Sequence, residues 1–260
     1  MNRKTSNLIV IIVVIAIGVI GYLSWPKNVE HPAASAPAAQ NPVVQSGTTT
    51  LQVSVVTSKQ NAPNAPSVSI EYPKFPALPA DFNAAIAKAV NDRLADFKKE
   101  SADNDAARRA TADPKAVITA DDYSFIATWE AAQADSRYVS LIMRFDSYTG
   151  GANENQEIQT FNYDVVANKE LSLADLFPQA PDYLKQISVL ARAQLTDSLN
   201  KASEGNIQMD MLTAGTEPAA ENFSDFTFTD QTFTLYFPKY AVAPGSFGEQ
   251  HVTLPRSAVK

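Results

Sequence analysis

The side chains best suited to chemistry in this chain are carboxylates. Asp121, Asp122, Glu154 and Glu157 all fall where loops or strand ends are expected. Two carboxylates flanking a glycosidic bond would cleave it, one protonating the leaving oxygen and the other attacking or activating water. Spacing along the chain does not bring any two of them together, and loop acids are commonly just solvated. A Ser-His-Asp relay needs an imidazole beside a hydroxyl. Only His31 and His251 are present. His31 lies in a Pro/Ala-rich stretch and His251 in a strand-like run, and no G-x-S-x-G elbow accompanies either. Zinc chemistry needs several nitrogen or carboxylate ligands around an open position, and one histidine in the folded part cannot supply the usual pair. The residues therefore assign no catalytic group, no metal and no cofactor, and the expectation is a chain that is not an enzyme.

Binding chemistry has two better candidates. Tyr148, Gly150, Gly151, Asn153 and Glu154 share one loop. Its glycines admit positive φ or close approach of the backbone, Tyr148 offers an amphipathic ring, and Asn153 and Glu154 offer hydrogen-bonding groups. The same glycines would equally serve only to shape a long connection between strands. The second loop, 240–248, carries Tyr240 and Phe247 around a Pro244-Gly245 turn. Those rings either rim a contact surface or pack beneath it.

The elements that must hold these loops are legible as hydrophobic periods. Residues 68–72 alternate as a strand does. A helix opens near Pro79-Ala80-Asp81, with Asp81 as its cap and Phe82, Ile86, Val90, Leu94 and Phe97 along one stripe, and fades into the polar stretch 98–113. Strands are expected over 123–130, 136–148 and 158–166, the last two antiparallel around the glycine loop. Val139, Leu141, Met143 and Phe145 share one strand face. Residues 167–170 make a turn and 172–177 a short helical turn. A second helix spans 182–199 on Leu184, Ile187, Leu190, Ala191 and Leu195, and 205–221 reads as irregular. Residues 226–228 and 233–237 form a hairpin, and 251–254 a last strand. Helices separated by runs of antiparallel strands define an α+β class with two main helices.

Composition narrows the setting. The chain has 260 residues, a net charge of −7 and no cysteine. The acidic balance argues against nucleic acid as a partner, and the missing cysteines exclude disulfides and a lipid-modified leader. Residues 8–23 carry no charge, Arg3 and Lys4 precede them, Tyr22 lies at their far end and Trp25 follows. A run of this kind approaches the roughly 20 apolar residues that span a bilayer as a helix, and the cations orient the N-terminus inward. The only small-residue cleavage match, Ala34-Ser35-Ala36, stands well beyond the run and precedes Pro37. The expected plan is a cytoplasmic tip over 1–7, a transmembrane anchor over 8–25, a flexible stalk over 26–66, an N-terminal part of the external module over 67–134, and a C-terminal part over 135–260. Residues 53–56 read as an early strand or as more stalk.

A series of short motifs then comes in order: Tyr138-Val139-Ser140-Leu141; Phe145-Asp146-Ser147-Tyr148-Thr149-Gly150-Gly151-Ala152; Phe161-Asn162-Tyr163-Asp164; Leu171-Ser172-Leu173-Ala174-Asp175-Leu176-Phe177; Ala191-Arg192; Phe233-Thr234-Leu235-Tyr236-Phe237; and 240–248 before Val252-Thr253-Leu254-Pro255. The series resembles the RsiV/PdaC-type extracytoplasmic domain of unknown function, over roughly 68–259. Members include an anti-sigma factor whose outer domain binds lysozyme and a peptidoglycan deacetylase that carries this domain beside a separate catalytic one. The resemblance implies a cell-membrane protein with an external binding or sensing module for a wall glycan or a wall-directed protein such as lysozyme. A scaffold of the envelope, a glycan hydrolase or a deacetylase are the alternatives. Two departures stand out: Asn153 occupies a position where the family often has histidine, and residues 1–7 are too short to hold a sigma factor.

Overall fold

The alternation of residues 68–72 extends into a strand whose inward residues, Val68 and Ile70, are buried and whose neighbours are not. The same logic recurs along the chain and builds two sheets. In the computed structural model, residues 11–14, 50–111, 122–151 and 153–260 are described. The first sheet has seven strands in sequence order: β1 (Ile11–Val14), β2 (Ser54–Gln60), β3 (Ser67–Lys74), β4 (Ser124–Ala134), β5 (Tyr138–Tyr148), β6 (Asn155–Asp164) and β7 (Lys169–Glu170). The second holds β8 (Phe226–Phe228), β9 (Thr232–Phe237) and β10 (Gln250–Pro255) in the order β10-β9-β8. The class is α+β, with helices α1 (Ala80–Thr111), α2 (Tyr183–Ala202) and α3 (Met209–Gly215).

One pair departs from the antiparallel expectation. β3 and β4 run parallel, because α1 carries the chain back across the sheet between them, as a parallel pair requires. Asn83 fixes the entry to that crossover. Its Oδ1 accepts from the Phe75 amide at 2.8 Å, while its Nδ2 donates to the carbonyls of Phe75 at 3.0 Å and Pro79 at 3.1 Å. Asp81, expected as the cap, lies just inside the helix and accepts from the Phe82 amide at 2.9 Å. The helix also runs past the predicted fade near Lys98. Its polar second half is supported by Lys99–Asp103 and Arg109–Asp105 pairs, both at 2.7 Å and four residues apart, the spacing that places side chains together on a helix surface. Asn104 ties it to the sheet by donating to the Thr149 carbonyl at 2.9 Å.

Two cores result. Phe75, Phe82, Ile86, Val90 and Phe97 pack against Phe125, Val139, Leu141, Met143, Phe145 and Tyr163 on one face of the large sheet. Ile187, Ala191, Leu195, Leu212, Phe233, Leu235 and Phe237 form the other, between α2, α3 and the small sheet. The expected division at 134/135 is corrected by this arrangement: β4 and β5 are a hairpin in one sheet with one core, so the chain passes to the second unit only after β7. α3 replaces part of the expected irregular stretch 205–221, where Leu212 alone is buried on a short helix and leaves no periodic signal.

The expected stalk also ends earlier than residue 66. Ser54–Gln60 pairs along its whole length with β3, and Val53 is buried, so the strand reading of 53–56 holds there and residues 61–66 become the hairpin turn. Residues 26–49 lie outside the described residues. Of the expected anchor over 8–25, only Ile11–Val14 is described, and there the backbone is a strand paired with β2 rather than a helix. Isoleucine and valine suit an extended backbone as well as they suit lipid. Among the described residues no helix is long and apolar enough to cross a membrane.

The turn at 172–177 is a 3-10 helix, Leu173–Leu176, closed by a capping box. Asp175 accepts from the Ser172 amide at 2.8 Å and pairs with Lys169 at 2.7 Å. Bonding to Lys169, then to Ser172, holds its carboxyl down from 3.8 to about 2. A carboxyl with a depressed folded pKa stabilises the fold above its ordinary value and stops doing so as pH falls through the folded one. Asp175→Asn is therefore expected to lower the melting temperature at neutral pH and to flatten the loss of stability between 3.8 and about 2. Melting curves across that window check it, and an unchanged acid limb excludes the role.

Candidate functional site

The glycine loop leaves β5 at Tyr148 and re-enters the sheet at Asn155, opposite Ser147. Gly150 has φ +94°, which favours glycine, whereas a side chain at Gly151 would meet nothing closer than 3.9 Å. The loop is tied down by α1: Thr149 donates its hydroxyl to Glu100 at 3.0 Å and accepts from Asn104. Tyr148 is half-buried, while Gly151, Asn153 and Glu154 are exposed, and Ala152 between them is not among the described residues.

The second loop meets the first. Lys239 donates to the Glu154 carbonyl at 3.3 Å and lies 5.5 Å from the Tyr240 ring centre. Tyr240 is exposed, at φ +73°. Its ring sits beside Gly245, so that a methyl group there would stand 2.2 Å from it. Phe247 is partly buried and packs against the second core. A base for this loop comes from β5. Arg144 donates Nε and Nη2 to the two oxygens of Glu249 at 3.3 and 3.2 Å, sits 3.5 Å from Glu130, and stacks 5.6 Å from the Tyr236 ring. Arg144→Ala would leave Glu249, 20% exposed, without its partner, a loss of about 1–3 kcal/mol. Faster amide exchange over 240–249 is the expected readout, and unchanged exchange would show that the pair does not hold the loop.

The acidic residues singled out for chemistry are dispersed. Glu157 pairs with Arg93 at 3.2 Å, Asp122 is exposed at the start of β4, and Asp121 is outside the described residues. His251 is exposed on β10, 6.3 Å from the Tyr236 ring. Among the described residues no group of three or more His, Cys, Asp or Glu gathers closely enough to hold a metal ion.

A shaped hollow lies elsewhere. A cleft of about 430 Å³ opens where the edge of β6 faces the start of α1, the Ser172 turn and the stretch before β8. Phe82, Ala85 and Phe223 give it apolar walls, and Gln159, Thr160, Glu170 and Tyr183 give it polar ones. That volume falls within the usual range for small-ligand sites, and the mix of surfaces fits one. None of the seven loop residues chosen from the sequence lines it. The signal that points to it is the turn at 167–170 followed at once by a helical turn, which leaves β7 two residues long and most of β6 without an outer neighbour.

The two units meet beneath this cleft through a buried polar junction. Ser140 donates to Asn162 Oδ1 at 2.6 Å and accepts from the Phe228 amide at 2.7 Å, and Asn162 Nδ2 donates to the Phe226 carbonyl at 2.8 Å. The same two-unit division appears among known families: residues 59–156 match the model described as Deacetylase PdaC, and residues 174–257 match that of a protein of unknown function, DUF3298. The chain thus resembles a PdaC-type segment followed by a DUF3298 segment. The PdaC-type segment runs from the end of β2 to the start of β6, and the DUF3298 segment covers α2 and the small sheet. The peptidoglycan-N-acetylmuramic acid deacetylase PdaC of Bacillus subtilis (strain 168) is 29% identical over 192 residues, which are 74% of this chain and 38% of that one. A DUF3298 family protein of Pseudomonas aeruginosa PAO1 shares the fold with a TM-score of 0.57 at 19% identity, over 81% of this chain and 94% of that one. One from Bacteroides fragilis NCTC 9343 does so at 0.54 and 16%, over 81% and 92%. These matches correct the expectation that the chain is not an enzyme, because the relative is a named deacetylase and the model over β2 to β6 bears the same description.

Proposed function

We propose that this chain is a module of the cell envelope that engages peptidoglycan outside the membrane. The observation that carries the reading is the 29% identity to a peptidoglycan-N-acetylmuramic acid deacetylase across 192 residues spanning both units. The cleft supports it, since aromatic and apolar walls with a few hydrogen-bonding side chains suit sugar rings. Binding is tested by sedimenting the full chain with insoluble peptidoglycan, with lysozyme as a competing ligand. Co-sedimentation is expected. Failure to sediment, with capture of lysozyme instead, would replace the polymer with the wall-directed protein.

A second reading is favoured by the deacetylase description over residues 59–156. In it the chain itself removes acetyl groups from the polymer. Release of acetate from peptidoglycan by the purified full chain distinguishes this reading from binding alone. Localisation is tested separately: an anchor over 8–25 predicts the full chain in the membrane fraction, and recovery in the soluble fraction would leave Ile11–Val14 as the sheet strand alone.

A further inference from the structure

β6 is an unfinished strand edge inside a cleft. β7 pairs only with Tyr163 and Asp164, so, among the described residues, 155–161 have no strand on that side. The Asn162 carbonyl accepts from the Leu171 amide at 2.9 Å, which shows that the main-chain groups of Asn162 point away from β5. Main-chain direction alternates along an antiparallel strand, so Thr160 and Ile158 turn their N–H and C=O groups to the same open side. Asp225 takes the Thr160 amide, which leaves the Thr160 carbonyl and both groups of Ile158 free of the sheet ladder. The side-chain amide of Gln159 also makes no hydrogen bond among the described residues. Open strand edges are templates for another amide. Here the edge borders a cleft walled by Phe82, Ala85 and Phe223.

We propose that this cleft recognises the acetamido group of an N-acetylated hexosamine. The ligand N–H donates to the Thr160 carbonyl, its C=O accepts from the Gln159 side-chain amide, and the methyl group rests on the apolar wall of Phe82 and Ala85. The proposal rests on the peptidoglycan reading and names the chemical group that is read. A de-N-acetylated sugar keeps the ring but has neither carbonyl nor methyl, so it forfeits these contacts. Sites built to pair a polar group reject analogues lacking it strongly.

The test is calorimetry of the full chain with a tetramer of N-acetylglucosamine and with the same tetramer fully de-N-acetylated. The N-acetylated tetramer is expected to bind roughly tenfold or more tightly. Ala85→Trp, which fills the cleft from a half-buried position on α1, is expected to abolish that binding. Gln159→Leu, a milder change on a half-buried position, is expected to weaken it while leaving the fold intact by circular dichroism. Equal binding of the two tetramers, or no effect of either variant, overturns the proposal. Binding of a wall stem peptide but of neither tetramer overturns it as well. Co-sedimentation with peptidoglycan alongside indifference to both tetramers removes the acetamido site and leaves the wall-polymer reading standing; failure of both removes both.

Discussion

Phe82→Ala is expected to cost about 3–5 kcal/mol, the range for emptying a buried phenylalanine site. Phe82 is 3% exposed, and its ring contacts Phe75 at 6.1 Å, Phe161 at 6.4 Å and Tyr163 at 4.8 Å between centres. It stands in the first turn of α1, where the crossover meets the sheet, so the cavity would open at the one place that joins β3, α1 and β6. Domains of this size are stable by only about 5–15 kcal/mol, and a loss of that order removes a large share. Denaturant unfolding of the full chain measures it. A cost below about 1 kcal/mol would mean that the site collapses or that Phe82 is not central to the first core. Because Phe82 also lines the cleft, Phe82→Leu, which keeps most of the volume, separates loss of fold from loss of ligand.

Asn162→Ala is expected to have a comparable effect through hydrogen bonds instead of volume. The substitution strands the Ser140 hydroxyl and the Phe226 carbonyl, both bonded to Asn162 now. Ser140 is fully buried and Asn162 nearly so. Each buried polar group left unpaired costs about 1–3 kcal/mol, so about 2–6 kcal/mol is at stake. Ser140→Ala also orphans the Phe228 amide. The two changes act on one network, so the double variant is expected to lose less than the sum of the singles. Amide exchange should rise first in β8, which is short and depends on this junction to meet the large sheet. If the double variant loses the full sum, the two residues act independently and the network account fails.

Both variants fall where the sequence was only partly readable. The stripe of Phe82, Ile86, Val90 and Phe97 announced a buried helix face, and the alternation of Val139, Leu141, Met143 and Phe145 announced the strand face it covers. Nothing local announced Asn162 as the link between sheets. An asparagine in a strand looks like an exposed polar position until the Phe226 carbonyl is seen beside it, 64 residues away. The second half of α1 was hidden for the opposite reason. It has no apolar stripe to read, and its ion pairs and the contact from Asn104 to Thr149 are what keep it helical.

The candidate site shows the same split. The two loops chosen for their glycines and aromatics do touch, through Lys239 and Glu154. The cleft lies away from both, on an edge created by the brevity of β7. A run of residues can report that it is a strand, because side-chain alternation is a local property. It cannot report which strand will stop short beside it.

The chain's own order of residues determined the α+β class, the approximate place of most helices and strands, and the kinship visible in short motifs from Tyr138 to Pro255. Those properties are written in the periodicity and turn chemistry of neighbouring residues. Tertiary structure alone decided that β3 and β4 run parallel, that two cores meet across Ser140 and Asn162, and that Phe82, Gln159, Glu170 and Phe223 surround one cleft. Such juxtapositions depend on how the burial of whole faces is satisfied at once, and residues far apart in sequence carry no local mark of it.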